Sequence, residues 1–66
     1  MYKLEKDDDF DKLIQERVLV YFSADWCNKC KMVETLLNQI SDIKIIKVDV
    51  DKYKKIARNN GVMSIP

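Results

Sequence analysis

An α/β fold built on a mostly parallel sheet is predicted by three observations. Residues 18–22, Val-Leu-Val-Tyr-Phe, form an unbroken run of β-branched and aromatic side chains. Residues 43–48, Ile-Lys-Ile-Ile-Lys-Val, form a second run rich in β-branched residues. Between them Met32, Val33, Leu36, Leu37 and Ile40 recur at helical spacing for about three turns. Strands alternating with helices imply parallel strands joined by crossovers, here in the order β-α-β-α-β-α with three strands.

Each element has its own local cause. Residues 2–4 are short enough to be an edge strand. Asp7 or Asp8 is placed to cap a helix whose apolar members, Phe10, Leu13 and Ile14, fall three and four residues apart. The run 18–22 shows no apolar–polar alternation, so it reads as a strand covered on both faces. Residues 23–26 lead into the amphipathic helix over 29–40, which Ser41 and Asp42 end. After the strand at 43–48, Asp49 and Asp51 offer caps for a short basic helix over 52–58. Asn59-Asn60-Gly61 supplies the left-handed stop that such a helix needs. No repeat, linker or low-complexity stretch interrupts the chain, so residues 1–66 read as part of one domain.

Composition narrows the functional classes. The 12 basic and 11 acidic residues give a net charge of +1, which leaves no electrostatic footprint for nucleic acid. The acidic cluster Asp7, Asp8, Asp9 and Asp11 and the basic cluster Lys52, Lys54, Lys55 and Arg58 read as solvated helix faces. The longest apolar run is far below the roughly 18 residues that a membrane span requires. The amino terminus lacks the basic-then-apolar plan of a signal peptide, so a cytoplasmic location is expected. In that compartment a close cysteine pair is redox-active or metal-binding more often than a static disulfide.

Such a pair is present in Trp26-Cys27-Asn28-Lys29-Cys30, between the buried strand and the amphipathic helix. First-turn amides and the helix dipole put partial positive charge at Cys27 and favour its thiolate. Lys29 and Lys31 add full charges nearby. Cys30, three residues on, faces the same side and is placed to close a disulfide over the helix start. Cys27 at the exposed end is therefore the expected attacking thiol and Cys30 the resolving one. The alternatives are a zinc shared between two copies, since two cysteines are half of a four-ligand site with no histidine to complete it, and an inert disulfide or two unrelated buried thiols. Beside Cys27, Trp26 either guides substrates or caps the core.

The stretch 18–32, Val-Leu-Val-Tyr-Phe-Ser-Ala-Asp-Trp-Cys-Asn-Lys-Cys-Lys-Met, resembles the strand, redox loop and helix start of the thioredoxin family. Lys47-Val48-Asp49-Val50-Asp51 resembles the end of that family's third strand, and Gly61-Val62-Met63-Ser64-Ile65-Pro66 the approach to its cis-proline. The resemblance implies a thiol–disulfide oxidoreductase that needs no cofactor beyond its two sulfurs. Its partners would be disulfide-containing protein substrates and a reductase-type electron donor. It also implies that Pro66 is the cis-proline facing the cysteines, and that Met63, Ser64 and Ile65 lie along a substrate groove with Trp26.

Three departures are visible. Asn28-Lys29 stands between the cysteines where the family usually has Gly-Pro, Tyr21 where it has a buried carboxylate, and Ser23 where a tryptophan is common. A tyrosine, with an ordinary pKa near 10, is a poor base for the resolving thiol. Tyr2, Tyr21 and Tyr53 are expected to be structural, and Lys47 either matches a lysine near the family's active site or is simply solvated. The strand at 18–22 calls for a neighbour on each side, and the family continues past the proline into a β-hairpin and a last helix. The expectation is therefore a front part of the domain that is weakly folded or self-associating on its own.

Overall fold

A computed structural model describes residues 1–65. It contains β1 (Tyr2–Lys3), a 3-10 turn (Asp7–Asp9), α1 (Phe10–Leu13), β2 (Val18–Ser23), α2 (Asn28–Leu37), β3 (Lys44–Asp49) and α3 (Lys54–Asn59). The three strands are all parallel, in the order β1-β3-β2. β3 is central. It pairs with β2 over six residues, from Val18 opposite Lys44 to Ser23 opposite Asp49, and with β1 at Tyr2 opposite Ile46 and Lys3 opposite Lys47.

That register sorts side chains to two faces, because successive residues of a strand point to opposite sides. Val18, Val20 and Phe22 of β2 join Ile46 and Val48 of β3 under Phe10, Leu13 and Ile56 of α1 and α3. On the other face Tyr21 and Ile45 pack with Cys27, Cys30, Val33 and Leu37, the contribution of α2 and its approach. Helices thus cover both faces, as the unbroken apolar runs require.

Several local expectations need correction. Within the described residues β2 has a strand on one side only, and its second residue Leu19 is 36% exposed. The apolar stripe of α2 is wider than the face it buries. Cys30, Val33 and Leu37 point to the sheet, whereas Met32 is 72% and Leu36 65% exposed, with Ile40 exposed beyond the helix. The reason is rotational: residues 30, 33 and 37 share the inner side of the helix, and 32, 36 and 40 follow an i, i+4, i+8 line beside it. The first helix is a single turn that follows a 3-10 turn, and no aspartate side chain caps either. Asp49 caps a turn, not a helix: its Oδ1 accepts the N–H groups of Asp51 at 2.8 Å and Lys52 at 3.1 Å. Tyr53 stands at the N-cap of α3 and makes no side-chain capping bond.

The stop of α3 follows the sequence closely. Gly61 has φ of +70°, its N–H bonds to the carbonyl of Arg58 at 3.1 Å, and Val62 N–H reaches back to Ala57 at 3.0 Å. This double closure satisfies carbonyls the helix end would leave open, and glycine allows it because it has no Cβ to resist the left-handed turn.

Candidate functional site

The site begins where β2 runs out. Ser23, the last residue of β2, accepts the N–H of Val50 at 2.9 Å, which locks the end of β2 to the segment following β3. Cys27 N–H then bonds to the carbonyl of Ala24 at 3.1 Å, a tight turn that aims the chain into α2. Cys27 itself is the N-cap of α2 in extended conformation, and its Sγ accepts the N–H of Cys30 at 3.2 Å. A sulfur thus takes the place of the usual serine or aspartate oxygen at a helix start.

Cys27 and Cys30 form a disulfide, with their Cα atoms 5.3 Å apart. Both are buried, Cys27 at 6% and Cys30 at 1% exposure, so the first is the more accessible by a small margin only. Among the described residues no group of three or more His, Cys, Asp or Glu side chains could hold a metal ion. No helix among them is long and apolar enough to cross a membrane.

Beneath the disulfide lies a polar arrangement that sequence reasoning did not anticipate. The Tyr21 hydroxyl donates to the carbonyl of Cys30 at 2.8 Å, a buried contact between β2 and the first turn of α2. Burial of the ring raises the Tyr21 pKa above 10.0, and the nearby Glu34 carboxylate raises it further. Glu34 lies one helical turn beyond Cys30, and its Oε1 accepts Lys47 Nζ at 2.9 Å. Lys47 is therefore not a free solvated lysine but a half-buried tether from β3 to α2. Spacing carried part of this signal: Glu34 follows Cys30 by four residues, which puts both on one side of a helix. The register that sets Tyr21 opposite Lys47 was the missing piece.

Trp26 does not cap the core. It is 65% exposed, and its Nε1 donates to Asp51 Oδ2 at 2.8 Å, which fixes the indole over the turn between β3 and α3. Asp51, expected to cap the helix, holds this ring instead. Trp26 lines a groove of about 410 Å³ together with Met63, Ser64 and Ile65, three residues far from it in the chain. Met63 is 96% exposed, whereas Ile65 packs against the cluster of Tyr21, Cys27, Cys30 and Ile45. Through Ile65, and through Trp26 as the residue before Cys27, the groove adjoins the cluster that holds the disulfide. Four of the residues singled out from sequence meet at it, and Pro66 lies outside the described residues.

Comparison with known proteins adds a relationship to this geometry. The family model described as Thioredoxin matches residues 1–66. The chain is 43% identical over 54 residues to a thioredoxin of Bacillus subtilis, covering 74% of this chain and 52% of that protein. It is 46% identical over 54 residues to a thioredoxin of Mycobacterium bovis, covering 74% and 47% respectively. A thioredoxin of Chlamydia muridarum is 37% identical across 100% of this chain and 70% of its own length. The chain spans about half the length of the first two relatives.

Proposed function

The chain belongs to the thioredoxin family, and on that premise we propose that it is a thiol–disulfide oxidoreductase that reduces protein disulfides. The observation that carries the reading is the Cys27–Cys30 disulfide closed over the first turn of α2, with Cys27 Sγ as the cap. In the reduced protein the same N–H and helix dipole stabilise a Cys27 thiolate. That thiolate attacks one sulfur of a substrate disulfide and forms a mixed disulfide, while the other substrate sulfur leaves as a thiolate that takes a proton. Cys30 then loses its proton and attacks Cys27 Sγ. The bond between Cys27 and the substrate breaks, the second substrate thiol is released, and the Cys27–Cys30 disulfide is left. Two electrons pass from the dithiol to the substrate, and a reductase-type donor must return them.

Trp26, Met63, Ser64 and Ile65 are the proposed substrate contacts, because their groove adjoins the cluster that holds the disulfide. The reading carries with it a cytoplasmic setting, where thiols are kept reduced between turnovers. Reduction of insulin with a small dithiol as electron source tests it. The chain should accelerate insulin precipitation, Cys27→Ser should abolish the acceleration, and Cys30→Ser should accumulate substrate-linked mixed disulfides. Equal activity of wild type and Cys27→Ser would overturn the assignment.

A further inference from the structure

We propose that the groove beside the disulfide selects substrate segments carrying acidic side chains near the target cysteine, with Lys54 and Arg58 as the residues that recognise them. The inference rests on the oxidoreductase reading and names the class of substrate for that same site.

Lys54 and Arg58 are four residues apart on α3, so they share one side of the helix. Both line the groove that Trp26 and Ile65 border, and among the described residues they are its only charged lining residues. Both are exposed, and neither is in an ion pair among the described residues, where the single pair is Lys47 with Glu34. The other basic residues of this stretch are engaged elsewhere: Lys52 lies over the Tyr53 ring at 5.4 Å, and Lys55 lines a separate hollow with Asp7 and Asp11. No acidic residue lines the groove among the described residues, and Asp51 is held on the Trp26 indole. The floor is apolar, with Val50, Ala57 and Val62.

A peptide laid along that floor therefore meets two free cations and the ring of Trp26, the residue that precedes Cys27. An aspartate or glutamate a few residues from the target cysteine satisfies the rim. Arg58 offers a planar fork suited to a carboxylate, and Lys54 a mobile point charge. A lysine or arginine at the same place meets like charge. Rim charges of this kind act mainly on encounter rate and are screened by salt.

The test is kcat/KM of the reduced chain toward two fluorogenic disulfide peptides, identical except for Asp-Asp or Lys-Lys beside the cysteine. At low ionic strength the acidic peptide should be reduced roughly tenfold faster, the scale expected for two exposed charge pairs. The preference should shrink toward unity at about 1 M salt, where the screening length is about 3 Å. The double variant Lys54→Glu with Arg58→Glu should invert it. Should that variant fail to fold, the neutral changes Lys54→Gln and Arg58→Gln should each remove part of the preference. Reduction of neither peptide by wild type would bring down the oxidoreductase reading, and this inference with it. Equal reduction of both, insensitive to salt, would overturn the acidic-segment inference and leave the oxidoreductase reading standing.

Discussion

On the face covered by α1 and α3, the sheet buries Ile46 and Val48 completely and packs them with Leu4, Phe10, Tyr53 and Ile56. On the face covered by α2, the buried set is smaller and chemically mixed: Tyr21, Ile45 and the two cysteines, with a hydroxyl–carbonyl contact among them and the half-buried Lys47–Glu34 pair beside them. Apolar burial contributes roughly 25 cal/mol per Å² and is indifferent to direction, so the first face supplies stability. Hydrogen bonds and ion pairs contribute less net free energy but fix geometry, so the second face holds the first turn of α2 and its sulfurs in register. In a chain of 66 residues, where burial only narrowly exceeds ordering entropy, the division has a consequence. The chemistry on one face depends on a core that lies on the other.

Truncating each face should show the largest difference. Ile46→Ala removes a fully buried side chain from the first face and should cost about 2–5 kcal/mol, enough to unfold much of the population. Met32→Ala or Leu36→Ala removes an exposed side chain from the outer flank of α2 and should change stability by about 0.5 kcal/mol or less. Urea unfolding followed by circular dichroism measures both. Comparable losses would mean that the α2 flank is covered in solution, and the comparison between the faces would fail.

The second prediction isolates the directional part of the α2 face. Tyr21→Phe keeps the ring in its packing and deletes the hydroxyl that donates to the Cys30 carbonyl. The carbonyl retains its partner within the helix, so the expected loss is about 1 kcal/mol. The stronger sign should be kinetic: the first turn of α2 is held less tightly, and resolution of a mixed disulfide by Cys30 should slow. Stopped-flow measurement of substrate release separates that step from the attack by Cys27. An unchanged resolution rate would reduce Tyr21 to packing alone.

A smaller effect is expected from the tether between β3 and α2. Lys47 and Glu34 are each about a quarter exposed, so solvent screens the pair and its contribution is roughly 1 kcal/mol or less. Lys47→Met should lower stability by that amount in low salt and by less at high ionic strength. A double-mutant cycle with Glu34→Gln measures the coupling directly. A cycle energy of zero would leave the α2 face with only one directional contact.

The legible parts of the molecule were those that depend on periodicity. The three strands, the parallel sheet and the Gly61 stop followed from runs and breaks in the chain, because each is set within a few residues. The helix stripe was legible as a stripe but not in direction. Five apolar positions cannot state that only two of them, Val33 and Leu37, face a sheet whose width is fixed by strand pairing. Trp26 shows the same limit: its neighbour in sequence is Cys27, but its hydrogen bond is to Asp51, 25 residues away. Lys47 and Tyr21 gained their roles from the β2–β3 register, which relates residues 26 apart. The cysteine pair was legible because its geometry is local, a cap and the end of the same helical turn.

The smallest predicted effect concerns alkaline pH and separates Tyr21 from every other titrating group. Its folded-state pKa lies above 10.0, first because burial disfavours the phenolate and then because the Glu34 carboxylate repels it. In the unfolded chain the phenol is free to ionise near 10. Between the two values the folded state binds more protons than the unfolded one, so stability must fall as pH rises. The contribution is fully present below pH 10 and drains away from there up to the folded pKa. The wild-type slope alone does not isolate one group. Tyr21→Phe removes this phenol and nothing else, so the difference between the two curves belongs to Tyr21. The expected result is a variant that is less stable than wild type at neutral pH and closes the gap above pH 10. A gap that stays constant across that range would mean that the phenol ionises as readily in the folded protein as in the unfolded chain, and that the α2 face is wetter than its packing indicates.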